Sequence, residues 1–279
     1  MDLATLHKQV LSNQVRVKTA KAGGSGTVIY SQPSPTDPDH YHTYALTCYH
    51  VIADAISVKT EWDPRVGRER KREFRQLVGV EFFDWSNIPH GHRPLTYSTD
   101  AETVAYDKDH DMALLLLRTV KPAPGIATLL PPGREIELQI GSPVIAVGCA
   151  LLHDPIVTQG IITHMGDEID YKLYWMSNAS IIFGNSGGAI FTPIVLDHEL
   201  KYVFTGIPSR IDIAGWATPV THLGYFSPIT RVYEFLNEQL YHFLIQGHRH
   251  TEPECEEERR KRKEQEERRL LVEMPHETG

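Results

Sequence analysis

Apolar residues in this chain recur in short bursts of period two, at Val15/Val17, Val28/Tyr30, Tyr44/Leu46/Cys48 and Ile56/Val58. Each burst is too brief for a helix, whose buried stripe needs three- and four-residue steps sustained over several turns. Continuous apolar runs accompany them: Met112 to Leu117, Pro143 to Cys149 and Tyr202 to Phe204, bounded by Gly, Asp, Thr or basic residues as buried strands are. The body of the chain is therefore all-β in class. Around position 173 the pattern is ambiguous, because Leu173/Trp175 would face one side and Tyr174/Met176 the other. Either a strand buried on both faces or a loop fits there.

A Pro/Gly-rich stretch, from Lys121-Pro122-Ala123-Pro124-Gly125 through Pro131-Pro132-Gly133, separates two comparable β-rich halves and reads as a connector over 121–133. The period changes after Pro228. Val232, Phe235, Leu236, Leu240, Phe243 and Leu244 recur at three- and four-residue steps, which predicts a helix that stops at Gly247 and packs back on the second half. Leu3, Leu6, Val10 and Leu11 predict a second, short amphipathic helix at the start, within a lead-in over 1–22.

From residue 251 the chain is a charged helical or disordered tail. Glu256/Arg260, Glu257/Lys261, Glu258/Arg262 and Glu264/Arg268 are i,i+4 pairs in the favourable order. With almost no apolar stripe before Leu270 the tail has little to bury, and partner binding or self-association through it stays open.

Composition narrows the function classes. With 28 basic and 36 acidic side chains the net charge is −8, so no overall positive field attracts a polyanion. The basic run between Arg65 and Arg75 has only Phe74 for base stacking and reads as a hairpin with a solvated face, so no nucleic-acid partner is expected. Asp2, His7 and Lys8 break the N-terminal stretch where a secretory leader would be apolar, and no segment approaches ~18 apolar residues, so no membrane association is expected. Three cysteines without metal-type spacing fit a reducing, cytoplasmic compartment. His90/His92 and His248/His250 are H-x-H pairs, the second with Cys255 and glutamates close by, but neither has a complete ligand spacing. No metal or other cofactor is expected.

Three segments together carry chemistry: Leu46-Thr47-Cys48-Tyr49-His50-Val51, Asp111-Met112-Ala113-Leu114-Leu115, and Phe183-Gly184-Asn185-Ser186-Gly187-Gly188. A serine hydroxyl is a weak nucleophile at neutral pH and needs a base that takes its proton and later returns it to the leaving group. Imidazole suits both steps, and a carboxylate fixes its tautomer. His50 is the candidate base, Asp111 the candidate orienting group and Ser186 the candidate nucleophile. Asp107 and Asp109 are rivals to Asp111, but only Asp111 directly precedes an apolar strand. The glycines around Ser186 allow a turn sharp enough for the Gly184 and Ser186 amides to converge on an oxyanion.

In these segments, and in their order His, Asp, Ser, the chain resembles the trypsin-like serine peptidases, and their HtrA (Deg) branch more than the digestive one. The likeness covers roughly residues 13 to 230, with Gly24-Ser25-Gly26-Thr27-Val28-Ile29 similar to the family's opening strand and Val157-Thr158-Gln159-Gly160-Ile161-Ile162 to a strand of its second half. It implies two antiparallel six-stranded barrels of the chymotrypsin type, over 23–120 and 134–230, followed by a helix over 231–250 and the tail over 251–279. It also implies a serine endopeptidase acting on protein or peptide substrates.

Asn185 stands where digestive enzymes carry an aspartate that pairs with a newly cut N-terminus, so activation of that kind is not expected. The corresponding position for the basic-selective carboxylate is Ser180. Pocket walls from Gly206, Ile207 and Tyr225, with Phe183 at the mouth, would favour small or medium apolar residues. The 32 residues after Gly247 are too few for the PDZ module of the HtrA branch. A catalytically silent binding protein on the same fold, with a closed oxyanion loop, is the alternative reading.

Overall fold

The structure, a computed structural model, describes residues 3–64, 67–85, 93–215 and 218–272. The chain opens with α1 (Leu3–Leu6), which continues as a π turn over His7–Leu11 and buries Val10 and Leu11. It then forms β1 (Gln14–Lys18), β2 (Gly23–Pro33), β3 (Tyr41–Thr47), a short α2 (Tyr49–Ile52), β4 (Ile56–Asp63), β5 (Arg68–Arg75), β6 (Val78–Asp84), β7 (Leu95–Asp107) and β8 (Met112–Thr119). Six of these strands close into an antiparallel barrel in the order β1-β2-β3-β8-β7-β6, while β4 and β5 stand apart as a hairpin. The barrel starts at Gln14 rather than at residue 23, because β1 pairs with both β2 and β6 and supplies the closing ladder.

Three of the four alternating bursts become barrel strands with apolar members in the interior, Val15, Val17, Val28 and Leu46 being fully buried, whereas Ile56/Val58 falls on the β4–β5 hairpin with Val58 exposed. β8 is apolar without alternation because both of its faces are covered, from Met112 to Leu117. The β4–β5 hairpin matches its charges across the strands, the exposed Arg72 with Glu61 at 3.5 Å and Arg70 with the buried Asp63 at 3.2 Å. Arg65, at the start of that basic run, lies outside the described residues, as do His90 and His92.

The second barrel is built from β9 (Pro143–Gly148), β10 (Ile156–Ile169), β11 (Lys172–Ser177), β12 (Ala189–Leu196), β13 (Glu199–Ala214) and β14 (Thr218–Pro228), closed in the order β10-β11-β14-β13-β12-β9. The ambiguous segment near 173 is β11, a strand with Tyr174 and Trp175 buried and Leu173 and Met176 half-buried. Phe191, Phe204 and Phe226 fill the interior. Between the barrels the chain runs without a strand of its own and bonds to each in turn. Ala127 N–H donates to Val28 O at 2.8 Å on the first, and Leu130 N–H to Phe204 O at 3.0 Å on the second.

The helix after Pro228 is shorter than its periodicity suggests. α3 (Ile229–Glu238) packs on β13 and β14, as expected, but it does not reach Gly247. Leu240 adopts a left-handed φ of 58°, and Tyr241 N–H bonds Leu236 O while Leu240 N–H bonds Asn237 O, the paired bonds of a Schellman stop. The apolar rhythm continues past the stop because Tyr241 and Phe243 serve a different surface. They meet Tyr44 and Tyr30 of the first barrel edge-on, with Phe243 5.5 Å from each ring.

The charged tail is helical as α4 (Glu252–Val272). Its start is a capping box: the backbone N–H and hydroxyl of Thr251 donate to the Glu254 carboxylate at 2.7 and 2.9 Å. Contrary to the expectation that it has little to bury, its first turns are docked. Glu252 is buried, with Oε1 bonded to His42 Nδ1 at 2.7 Å and Tyr44 OH at 2.6 Å. Arg259 lies over the Tyr241 ring, and Arg262 donates to Glu238 O. Of the expected surface pairs Glu257–Lys261 forms at 3.4 Å, while Arg262 turns to Glu266 at 3.3 Å. No helix among the described residues is long and apolar enough to cross a membrane. Replacing Glu252 with Ala removes a buried acceptor that serves two donors and is expected to lower unfolding free energy by about 1.5–3 kcal/mol. Denaturant unfolding of the full chain checks this, and Glu266→Ala, at an exposed site, should change stability by less than about 0.5 kcal/mol.

Candidate active site

The short α2 places His50. Cys48 ends the preceding extended segment at the N-cap, and Cys48, Val51 and Ile52 are buried, which leaves His50 turned outward with its side chain 49% exposed. Asp111 is delivered by the tight β7–β8 turn. Asp107 Oδ1 accepts the backbone N–H groups of Asp109 and His110 at 2.8 and 3.0 Å, which spends the first rival in capping that turn. Asp111 then takes a left-handed φ of 56°, a conformation that aspartate tolerates better than most side chains.

Both oxygens of Asp111 are committed to one residue: Oδ1 accepts the His50 backbone N–H at 2.9 Å, and Oδ2 lies 2.8 Å from His50 Nδ1. An ionised carboxylate only accepts, so Nδ1 carries the proton and Nε2 of the neutral ring keeps its lone pair. Cys48 beside them is no competing nucleophile. Burial, and then the neighbouring Asp111 carboxylate, push its thiol well above the usual range, and its Sγ lies 3.4 Å from Pro208 O.

The Ser186 loop is held against the first barrel by Ser25. Ser25 N–H donates to Ser186 O at 2.9 Å, its hydroxyl donates to Gly184 O at 2.6 Å, and Cys149 N–H donates to that hydroxyl at 2.7 Å. Thr47 Oγ1 in turn donates to Ser25 O at 2.7 Å. Two glycines are obligatory here. Gly184 has φ +93° and a Cβ would sit 2.5 Å from Cys149 O, and Gly187 has φ +84° with Ser25 O 2.2 Å from such a Cβ. Asn185 folds back within its own loop, where Oδ1 accepts the Ile182 N–H at 3.0 Å.

The peptide between Phe183 and Gly184 has a defined orientation. Phe183 O accepts the N–H of Leu151 at 2.7 Å, and in a planar trans peptide the Gly184 N–H points the opposite way. Neither the Gly184 nor the Ser186 N–H has an acceptor among the described residues. Leu151 and Leu152, which supply the anchor, both have left-handed φ values of 50° and 61°. Arg16 braces them: it donates to Leu152 O at 2.7 Å and pairs with Glu81 at 2.5 Å.

His50 and Ser186 line one open pocket of about 330 Å³, with Ile181, Ile182 and Phe183 on one wall and Ser209, Arg210, Ile211 and Ile213 on the other. Phe183 is thus where the sequence places it. The other expected wall residues do not line this pocket. Ile207 is fully buried, Gly206 is packed under Phe226, Tyr225 bonds Asp212 at 3.2 Å, and the carbonyl of Ser180 accepts the Thr158 hydroxyl on an exposed flank. The wall instead comes from Ser209 onward, where the pairing of β13 with β14 shifts register between Pro208 and Arg210. Arg210 at the rim lies 3.3 Å from Asp170 and over the Tyr174 ring. A larger hollow of about 410 Å³, between Tyr97 and Lys121 on the first barrel, contains none of the three candidate groups.

Sequence reasoning gave no role to Ser25, Leu151, Ser209 or Arg210. The Gly-Ser-Gly run around Ser25 was the available signal, since glycines on both sides of a serine mark a close backbone approach.

Residues 24–193 match the family described as "Trypsin-like peptidase domain". A curated protein of Arabidopsis thaliana, "Putative protease Do-like 14", is 26% identical over 211 residues, 73% of this chain and 40% of that protein. The chain therefore spans less than half the length of that relative. Among solved structures, Deg5 superposes with a TM-score of 0.55 at 19% identity over 88% of this chain and 93% of that one. An HtrA-type protease, AlgW with tripeptide, gives 0.57 at 20% identity over 86% and 64%.

Ser25→Ala leaves the buried Cys149 N–H and the Gly184 carbonyl without their shared partner and is expected to cost about 1–3 kcal/mol. Gly187→Ala adds a backbone collision and should cost more. Urea unfolding of both variants measures the difference, and a Ser25→Ala protein as stable as the parent contradicts this account of the loop.

Proposed function

The chain belongs to the trypsin-like peptidase family, and on that premise we propose that it is a serine endopeptidase acting on protein or peptide substrates. Ser186 Oγ attacks the scissile carbonyl while His50 Nε2 takes its proton. The same imidazolium then protonates the leaving amine, and a water repeats the sequence in reverse to release the acyl group. Asp111 holds the tautomer with one oxygen and the backbone of the same histidine with the other, so the ring is fixed in rotation as well as protonation. The oxyanion of each tetrahedral intermediate is received by the Gly184 and Ser186 N–H groups.

The observation that carries this reading is the orientation of the Phe183–Gly184 peptide. A loop with the Phe183 carbonyl turned inward would block the hole, as the silent binding protein requires. Here that carbonyl is bonded to Leu151 on the far side. Donors already aimed at the place where charge develops need no rearrangement when it appears, and each is worth about 10²–10³ in rate.

The isoleucine-lined wall supports a preference for small or medium apolar residues before the scissile bond. Arg210 lies at the rim already paired with Asp170.

A fluorophosphonate probe is expected to label the native chain and not Ser186→Ala, and failure to label under any condition would favour the silent reading. Asp111→Asn should lower kcat by about 10⁴ with a modest change in KM, since the histidine loses its tautomer but not its place. A peptide-library digest should show cleavage after Ala-, Val- or Leu-like residues; dominant cleavage after Lys, Arg or Glu would overturn the pocket assignment while leaving the triad intact.

A further inference from the structure

Three histidines that the proposed peptide chemistry does not use converge where α3 gives way to α4. His242 begins a 3-10 turn directly after the left-handed Leu240, and it is buried. Gly247, with φ +82°, reverses the chain and returns His248 and His250 over it. The three rings form a triangle with centroids 4.3, 4.9 and 5.2 Å apart. One nitrogen from each can be chosen so that all lie within 4.8 Å of one another. The first turns of α4 then bring a carboxylate to the same place, with Glu258 Oε2 3.7 Å from His242 Nε2.

This arrangement suits a cation better than it suits protons. His242 Nε2 and His250 Nδ1 face each other at 2.8 Å, so at most one proton fits between two lone pairs. Neutral imidazoles with one carboxylate are a donor set for a borderline divalent ion. Tetrahedral zinc with bonds of about 2.1 Å would hold its nitrogens about 3.4 Å apart, inside the 4.8 Å within which one nitrogen of each ring lies here.

We propose that His242, His248, His250 and Glu258 form a structural Zn²⁺ site. The ion would fasten the 3-10 turn, the 247–251 loop and the second turn of α4 into one unit, adding to the buried Glu252 contact that seats the same helix on the first barrel. Cys255 lies near His242 and Glu258 in an alternative grouping, but that grouping contains neither His248 nor His250, whose rings already converge on that of His242. The imidazole set is therefore the one assigned. This inference is independent of the peptidase reading.

The test uses the full chain after treatment with a chelator, titrated with Zn²⁺ against a chromophoric competitor and followed by thermal melting. One equivalent is expected to bind and to raise Tm. Because His242→Ala removes a buried ring and may not fold, the variants are His248→Ala and His250→Ala, both at exposed positions, with circular dichroism to establish folding. Each should weaken zinc binding roughly 100-fold and abolish the thermal shift. His164→Ala, on β10, should leave both unchanged. Cobalt substitution reads the ligand type: d–d bands without a thiolate charge-transfer band support the set named here. Absence of stoichiometric binding, binding unaffected by either variant, or a thiolate band would each overturn it.

Discussion

The site depends on one small residue. Ser25 uses its backbone N–H, its hydroxyl and its carbonyl to reach Ser186, Gly184, Cys149 and Thr47. Those contacts hold the Ser186 loop of the second barrel against β2 of the first, which is bonded in turn to Thr47 at the end of β3. A larger side chain at the neighbouring Gly24 would meet Val51 at 2.7 Å and Ser186 O at 3.0 Å, so the close approach also needs the absence of atoms there. The placing of the Ser186 loop of one barrel against the other is thereby a matter of hydrogen bonds to the backbone. Such bonds fix position more tightly than the packing of apolar surfaces, which is non-directional.

The electrostatic part of the site follows the same economy. Asp111 sits at the end of a tight turn, in a conformation that few residues adopt, and spends both oxygens on His50. Asp107, four residues before Asp111 and a rival to it in the sequence, is consumed by the turn that presents Asp111. Two carboxylates four residues apart thus have different duties because one faces its own backbone and the other faces a neighbour.

Much of this was legible in the chain. Strands with one buried face announced themselves by alternation, β8 by an unbroken apolar run, and the residues around His50, Asp111 and Ser186 by the chemistry they can perform together. What escaped was of two kinds. Leu240, Phe243 and Leu244 keep helical spacing although α3 stops at Glu238, because periodicity records burial and not which surface does the burying. On β13 the pocket is lined from Ser209 onward rather than by Gly206 and Ile207, past a register shift between Pro208 and Arg210 that no local pattern encodes. The docking of α4 was hidden for a related reason: a helix with almost no apolar stripe can still be anchored at its first turn by a single buried carboxylate.

Leu151 and Leu152 bear on how permanent the geometry of the Ser186 loop is. Two successive leucines in the left-handed region sit uphill of their own preference by about 1–3 kcal/mol each. They remain there because Arg16, Cys149 and Phe183 each take one of their backbone groups. The Ser186 loop is consequently gripped by a sprung jaw: its set position belongs to its neighbours, the Arg16–Glu81 pair among them, rather than to the two leucines themselves.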